Sequence, residues 1–246
     1  MNDPIIQMLS IALVTLGASY IQSVTGFGFG IFSMIFLPSL LLYTEASTLS
    51  SVLSTLTSIV TILTVWRSIS FKNIIFPTLG SLVSTYLAVS FVSTQSNKTL
   101  ILLLGIALFI LSIYFMFFSD KIRIRPSWYA GLVAGAISGV MSGIFSIGGP
   151  PAVIYFLQSE EDTPHYMATI SAFFVLSGII TVGTKISAGF MTSTVVIAIA
   201  VGVVAMLTGS VIGKVTRDKI KPILIRRAIY GIMALSGIVN IVTSII

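Results

Sequence analysis

Eight long apolar stretches alternate with short polar segments along the chain. They cover residues 5–43, 46–66, 74–93, 99–118, 128–158, 166–184, 190–213 and 222–246. A helix needs about 20 apolar residues to cross the core of a bilayer, so six of the stretches predict single membrane-spanning helices. The first and the fifth are too long. A straight helix over 5–43 would measure about 57 Å, against a bilayer core of about 30 Å.

Each of the two overlong stretches carries a glycine motif near its middle. The first is Ser23-Val24-Thr25-Gly26-Phe27-Gly28-Phe29-Gly30, and the second runs from Ser142 to Pro151. A break in a membrane helix is tolerated only where it packs inside protein or lines a wet cavity. Paired breaks in the two halves of a chain are typical of the substrate sites of transporters. We therefore expect each stretch to form two short helices that fold back at the glycines as a hairpin.

The basic residues agree with two hairpins. If both overlong stretches return to the side on which they began, Lys98 and Lys185 fall on one side and most other basic residues on the opposite side. That is a strong positive-inside bias, which vanishes if each stretch crosses once. The pattern predicts a multi-pass protein of a bacterial-type cytoplasmic membrane, with both termini outside and the hairpins entering from opposite faces. The basic residues predicted inside are Arg67, Lys72, Lys121, Arg123, Arg125, Lys214, Arg217, Lys219 and Lys221.

A weak internal repeat divides the chain into two similar halves. One shift lays Gly28 on Gly148, and a shift longer by one residue lays Thr48–Ser50 on Thr169–Ser171. The predicted organisation is a first repeat over 1–120, a basic cytoplasmic linker over 121–127 and a second repeat over 128–246. Each repeat would be a hairpin plus three spans, so the odd number of crossings inverts the second repeat relative to the first.

Composition supports an all-α polytopic membrane protein. The chain is 56% hydrophobic and 8% charged, whereas soluble domains are about a quarter charged. The apolar runs are continuous, which argues against the alternating strands of a β-barrel. There is no cysteine, so disulfides and thiolate chemistry are excluded. The net charge of +6 does not indicate nucleic acid, because the basic residues lie in short loops between spans.

The two glycine motifs predict an anion site. A short helix should begin after each break, and the first N–H groups of a helix have no internal partner. The helix dipole adds about half a positive charge there, so two facing N-termini can hold an anion. No lysine or arginine lies at mid-span, so we expect N–H groups and hydroxyls to hold the anion rather than an ion pair. The candidate substrate-binding residues are Gln22, Ser23, Thr25, Gly26, Gly28, Gly30, Ser142, Ser146, Gly148, Gly149 and Pro150.

Each candidate also has a purely structural interpretation. The glycines could simply permit close helix packing, and a serine or threonine inside a span often bonds only to its own helix. Gln22 could bond across helices or contact the substrate. A GxxxG-like stripe, formed by Gly131, Gly135, Gly139 and Gly143, could support a homodimer, although packing within the subunit is favoured.

The remaining polar residues favour structural roles. His165 is the only histidine and is expected in a solvated loop beside an acidic run rather than in a proton relay. Glu45 is expected at the membrane interface. No acid lies deep in a span, so a proton or sodium carrier of the carboxylate type is not predicted. No cofactor or metal site is predicted, and an enzyme is not expected because a nucleophilic serine would have no base within reach.

On these residues the chain resembles the sulfite exporter TauE/SafE family of membrane permeases. The resemblance rests on Ser23–Pro38, on Gly135–Leu157 and on the weaker pair Thr48–Ser50 and Thr169–Ser171, and it covers nearly the whole chain. It implies transport of small sulfur-containing anions, namely sulfite, thiosulfate or organosulfonates. The residues alone predict only an anion carrier whose halves rock around the site. An anion channel on the same scaffold and a non-transporting assembly subunit are the alternatives.

Overall fold

The computed structural model describes residues 4–117, 125–217 and 222–245, without the side chains of 222–228. The described residues form helices and no strand. Single turns of 3₁₀-helix, Leu37–Ser39 and Trp66–Ser68, follow the second and third helices. The α-helices are α1 (Pro4–Thr25), α2 (Phe29–Phe36), α3 (Tyr43–Val65), α4 (Phe71–Ser93), α5 (Asn97–Phe117), α6 (Trp128–Phe145), α7 (Gly149–Ser159), α8 (Thr163–Ser187), α9 (Ser193–Thr216) and α10 (Pro222–Ile245).

Among these helices, seven are long and apolar enough to cross a membrane, namely α1, α3, α4, α5, α6, α8 and α9. The prediction of an all-α polytopic membrane protein is confirmed. Most of the predicted basic linker and residues 218–221 lie outside the described part of the chain. His165 does not lie in a loop as predicted, because its backbone is in the first turn of α8.

Both overlong stretches are broken at their glycine motifs, and the chain folds back at each break. Gly26 and Gly28 adopt positive φ values of 84° and 102°, which residues with a Cβ atom rarely adopt. After the first break, the ring of Phe32 packs on Gly17 of α1. After the second break, the hydroxyl of Ser138 on α6 donates to the carbonyl of Gly148. The predicted hairpins are therefore present, as α1–α2 and α6–α7.

Helices from the two halves of the chain pack against each other in matching pairs. Helix α1 lies on α9 and α4 lies on α6, while α3 lies on α8 and α5 on α10. The predicted glycine stripe of α6 faces α4 in the same chain, since a Cβ atom on Gly135 would lie 1.9 Å from the carbonyl oxygen of Pro77. The stripe is thus occupied by packing within the subunit.

Helices α3 and α8 form the centre of the bundle. Each is 50% buried over its most apolar window, against 28–39% for the other candidate spans. They run antiparallel, because Ser47 lies beside Lys185 and Thr55 lies beside Gly178. Helix α3 carries an unusual number of buried hydroxyl residues for a membrane span. They are Ser47, Thr48, Ser50, Ser51, Thr55, Thr57, Ser58 and Thr61.

Candidate functional site

A small polar cavity lies where the two helix breaks meet, near the middle of α3 and α8. Its volume is about 50 Å³. A buried water needs roughly 10–15 Å³ of such volume, so the cavity is sized for a few waters or one small ion. The lining residues are Gln22, Phe27, Gly28, Phe29, Gly30, Ile31, Ser51, Ser54, Thr55, Ser142, Ser146, Ile147, Gly148, Gly149, Phe174, Ser177, Gly178 and Thr181.

The two breaks touch each other directly. A Cβ atom on Gly30 would lie 1.8 Å from the carbonyl oxygen of Ser146, and one on Gly149 would lie 3.2 Å from the ring of Phe27. Only glycine at position 30 lets the two backbones come this close, because any larger residue would overlap the carbonyl. The glycines of the motif therefore join the two hairpins as well as opening space for a ligand.

The first turns of two short helices line the cavity. Helix α2 begins at Phe29 after the left-handed Gly28, and α7 begins at Gly149 with Pro150 and Pro151 in its first turn. The N–H groups of a first turn have no partner within the helix, and the dipole makes this end positive. Proline is suited to this position because its missing N–H would be unpaired anyway. The predicted starts of both short helices, at 29–31 and at 150–151, agree with these positions.

Hydroxyl groups from three helices complete the wall of the cavity. Ser51 and Thr55 lie on α3, Ser142 lies in the last turn of α6, and Thr181 lies on α8. The hydroxyl oxygens of Ser142 and Thr181 are 3.3 Å apart, and those of Ser51 and Ser146 are 3.0 Å apart. A hydroxyl can donate one hydrogen bond to an anion while it accepts another. This lining is suited to an anion or a small polar solute.

Lys185 lies directly behind this wall, where a loop lysine on the outer side was predicted. Its side chain is completely buried on α8. The ammonium donates to the hydroxyl oxygens of Ser146 at 2.8 Å and Ser51 at 3.0 Å, and to the carbonyl oxygen of Ser47 at 3.1 Å. An ammonium has three donors, and all three are used. The expectation that no lysine or arginine lies inside the membrane part of the protein is therefore wrong.

No carboxylate balances this buried amine within the described part of the chain. There, the one ion pair joins His165 and Asp162. Burial of an unpaired charge is expensive, so the lysine site calls for a negative partner. Ser51 and Ser146 each contact Lys185 and also line the cavity, so an anion in the cavity would be separated from the ammonium by a single hydroxyl group.

Sequence patterns gave little indication of Lys185. It follows the apolar stretch 166–184 by one residue, which is the usual place of an orientation signal. Helix α8 continues to Ser187, and side chains on a helix point back toward its N-terminus. The long lysine side chain therefore reaches inward from near the end of the helix. The dense hydroxyl pattern of α3 was the one available signal that this helix faces a polar interior.

Four candidate residues lie outside the cavity lining. The hydroxyl of Thr25 donates to the carbonyl oxygens of Ile21 and Phe27, at 2.9 and 2.6 Å, and so stabilises the first turn-back. Gly26 packs against Tyr166 and Met167. Pro150 lines a separate apolar cavity between α5, α6 and α7. Ser23 lines a small basic pocket on the far side of Gln22.

Two acidic side chains at helix starts have hydrogen-bond partners within the protein. The carboxylate of Asp162 accepts from the backbone N–H and from the imidazole of His165, both at 2.8 Å, and these bonds lower the pKa of Asp162. Glu45, in the first turn of α3, is buried and accepts from the Thr192 hydroxyl at 2.7 Å. The described residues contain no group of three or more side chains suited to a metal ion.

A comparison with protein families identifies the chain. The model of the family "Sulfite exporter TauE/SafE" matches residues 11–239. The chain belongs to the sulfite exporter TauE/SafE family. The resemblance seen in the glycine motifs is thereby confirmed, and the match includes both breaks, Lys185 and all the cavity residues.

Comparisons with curated proteins and with solved structures found no match. The TauE/SafE assignment therefore rests on the family model, and the description of the site rests on this chain's own geometry. The family is one of sulfite exporters by its description, which agrees with a polar cavity enclosed by apolar helices.

Proposed function

We propose that the protein is a secondary transporter that exports a small sulfur-containing oxyanion, such as sulfite or an organosulfonate, bound between the two hairpin tips near the membrane midplane. One observation carries the proposal. Lys185 is fully buried, has no carboxylate partner among the described residues, and donates to two hydroxyls that line the cavity between the breaks.

Electrostatics favour an anionic ligand in this cavity. The Lys185 ammonium and the N-termini of α2 and α7 all contribute positive potential there. In a medium of low polarity these contributions are strengthened, because water does not screen them. An anion that accepts from first-turn N–H groups, and from the Ser51 and Ser146 hydroxyls when these turn away from the Ser47 carbonyl oxygen to which they now donate, would supply the missing negative charge. Since the lysine lies behind hydroxyls rather than in contact with the ligand, the anion remains free to leave.

The arrangement of the helices supports a carrier built from two repeats. The pairs α1–α9 and α6–α4 correspond under exchange of the two halves, and α3–α8 and α5–α10 each pair with their own counterpart. The cavity is formed by both hairpins and both central helices. Rocking of one repeat against the other would open it to each face in turn. We propose repeats over 1–120 and 128–246, inverted relative to each other.

Sulfite flux into proteoliposomes tests this function. Lys185→Met keeps the length of the side chain but removes the charge, and the control Lys98→Met removes the same charge from an exposed position in the first turn of α5. Hydrogen bonds to charged groups contribute enough that the loss should lower apparent sulfite affinity by about 10- to 100-fold in Lys185→Met. Lys98→Met should behave as wild type. Lys185→Met should remain folded with an unchanged or higher Tm, since it removes a buried charge.

Three outcomes would count against the proposal. Wild-type vesicles without sulfite or sulfonate flux would remove the transport function. Equal affinity in Lys185→Met and wild type would remove the lysine from the site. Flux that does not saturate, and is not accelerated by sulfite on the opposite side, would identify a channel instead of a carrier.

A further inference from the structure

Helix α3 presents a continuous stripe of hydroxyl groups to the interior. The stripe consists of Ser47, Ser51, Ser54, Ser58 and Thr61, at alternating spacings of four and three residues, which places them on one face of a helix. It extends over about 21 Å. Ser47 and Ser51 contact Lys185, and Ser51 and Ser54 line the central cavity. The stripe therefore continues well beyond the cavity toward the end of α3.

A second polar pocket lies at the far end of this stripe. It is about 20 Å³ in volume and is lined by Ser23, Val60, Thr61, Thr64, Ser210, Lys214 and Arg217. The Arg217 guanidinium donates from Nε at 3.0 Å to the carbonyl oxygen of Ser23. The Ser23 hydroxyl has no hydrogen-bond partner among the described residues, although Ser23 is only 3% exposed. A buried donor without a partner costs stability, so a ligand oxygen at this position would be stabilising.

Two cations and an unpaired hydroxyl define the chemistry of the small pocket. Lys214 and Arg217 carry positive charge, and the described residues that line the pocket include no acid. The pocket is suited to one charged oxygen of an oxyanion, because charge-assisted donors converge there. Its volume holds little more than a single water, so a whole oxyanion would sit partly outside it, toward the membrane face at which α3 and α9 end.

Gln22 separates the small pocket from the central cavity. Its amide nitrogen donates to the Ser58 hydroxyl at 2.8 Å, and its amide oxygen accepts from the Ser54 hydroxyl at 3.2 Å. The residue is 3% exposed, and it lines the central cavity but not the small pocket. Its two bonds join neighbouring members of the stripe and thereby close the stripe between the two compartments.

We propose that the hydroxyl stripe of α3 is the anion path between the central cavity and one membrane face. The basic pocket at Ser23 and Thr61 is the anion site at the end of this path, and Gln22 is the gate between the pocket and the cavity. The proposal rests on the anion transport proposed above. When Gln22 releases Ser54 and Ser58, the Ser54 hydroxyl and the amide N–H groups of Gln22 become free to donate to a passing anion. Hydrogen bonds to the Gln22 side-chain amide are thereby replaced by hydrogen bonds to a charged ligand, which are stronger.

Accessibility of engineered cysteines tests the gate. The chain has no cysteine of its own, so single cysteines report without further substitutions. A small anionic thiosulfonate reagent that carries a sulfonate should modify Thr61→Cys from the face at which α3 ends, and sulfite should slow this reaction. Ser54→Cys should react slowly from that face. Its rate should rise about tenfold or more when Gln22→Ala is added, since two hydrogen bonds that hold the gate are lost.

A matched pair of isosteric substitutions tests the path. The hydroxyls of Thr57 and Thr61 both donate to the carbonyl four residues earlier, at 2.8 and 3.0 Å, and both residues are buried. Only Thr61 lines the small pocket. Thr61→Val and Thr57→Val should therefore have similar Tm values, whereas only Thr61→Val should lower the initial rate of sulfite flux, by about threefold to tenfold for one lost hydrogen bond.

The results separate this proposal from the proposed function. The gate is overturned if Ser54→Cys reacts equally fast with and without Gln22. The path is overturned if Thr61→Cys stays unmodified in folded protein, or if Thr57→Val and Thr61→Val transport sulfite alike. Absence of any sulfite flux in wild type would instead remove the transport function, because the cysteine reactions do not depend on transport.

Discussion

At the scale of single residues, the site depends on how a few buried polar groups are satisfied. Lys185 uses all three of its donors on Ser47, Ser51 and Ser146, which leaves its charge without a counter-ion in the described part of the chain. The hydroxyls of Ser51 and Ser146 bond to the ammonium and also line the cavity, so only one hydroxyl group separates the charge from the cavity. The hydroxyls of these two serines also bond to each other and so hold the second break against α3. The same atoms therefore serve both the proposed binding site and the fold.

Removal of one cavity hydroxyl should weaken binding without unfolding the protein. We expect Ser51→Ala to raise the KM for sulfite by about tenfold or more, because a bond in a charge-assisted network is lost. Ser50→Ala is the matched control, since the buried Ser50 hydroxyl bonds to Ser33 at 2.7 Å and does not line the cavity. Flux measurements over a range of sulfite concentrations check the difference. Equal KM values for the two variants would contradict the role of Ser51.

The Asp162 cap predicts a pH dependence of stability. Its pKa is lowered from an ordinary value of 3.8, first by the backbone N–H of His165. The folded pKa therefore lies below the unfolded one, so the carboxylate stabilises the fold above pH 3.8 and loses this effect as pH falls through the lower folded pKa. Asp162→Ala should lower Tm at neutral pH and have a smaller effect near pH 3, whereas Asp162→Asn should keep part of the cap. A Tm difference independent of pH would contradict this assignment.

At the scale of helices, glycines set how closely the two halves approach. Gly135 meets Pro77 on α4, Gly209 meets Leu16 on α1, and Gly30 meets Ser146 at the breaks. In each case a Cβ atom would overlap a backbone oxygen, and at Gly209 it would also overlap the Ser19 hydroxyl. Close backbone contact of this kind is a main source of helix association in membranes, and it holds both hairpins to the opposite half of the chain.

Substitution at Gly135 should therefore damage the fold. Gly135→Ala places a Cβ atom 1.9 Å from the Pro77 carbonyl oxygen, and overpacking of this kind costs about 1–3 kcal/mol or more. Gly183→Ala on α8 is the control, because nothing lies within 4 Å of its Cβ position. Its Tm should be unchanged or higher, since alanine favours helix over glycine. Thermal unfolding in detergent compares them, and equal Tm values would show that α4 and α6 can move apart at little cost.

At the scale of the whole molecule, the burial of Lys185 strengthens the topology predicted from charge. It removes one of the two basic residues assigned to the outer side and leaves Lys98, an exposed residue in the first turn of α5. Because α3 and α8 are antiparallel and occupy corresponding places in the two halves, the arrangement supports inversion of one half relative to the other. The two hairpins would then approach the centre from opposite faces and meet at the cavity.

Single cysteines should confirm the topology. We expect Ser96→Cys, between α4 and α5, and Ser187→Cys, at the end of α8, to react with an impermeant reagent in intact cells, because both are exposed and lie on the predicted outer side. Ser68→Cys, between α3 and α4, should react only after the membrane is permeabilised. If Ser96→Cys and Ser187→Cys reacted from different sides, the two halves would not be inverted repeats.

The sequence alone determined the properties that depend on local chemistry. The membrane class and the helical spans follow from runs of apolar residues, because the bilayer acts on each segment separately. The two breaks follow from Gly26, Gly28 and the Gly148–Pro151 segment, because backbone freedom and missing N–H groups belong to these residues themselves. The family resemblance followed from the same motifs.

Only the tertiary structure decided which side chains share the site. Lys185 lies on α8, and its partners Ser51 and Ser146 lie far from it in the chain, so no local pattern could place them together. Long-range helix packing also decides that Gly30 contacts Ser146, that Gln22 bonds to Ser54 and Ser58, and that Thr25 lies outside the cavity lining. Long-range packing of helices decides which polar groups are buried and which groups they bond to. That packing places Lys185, which directly follows an apolar run, at the centre of the molecule.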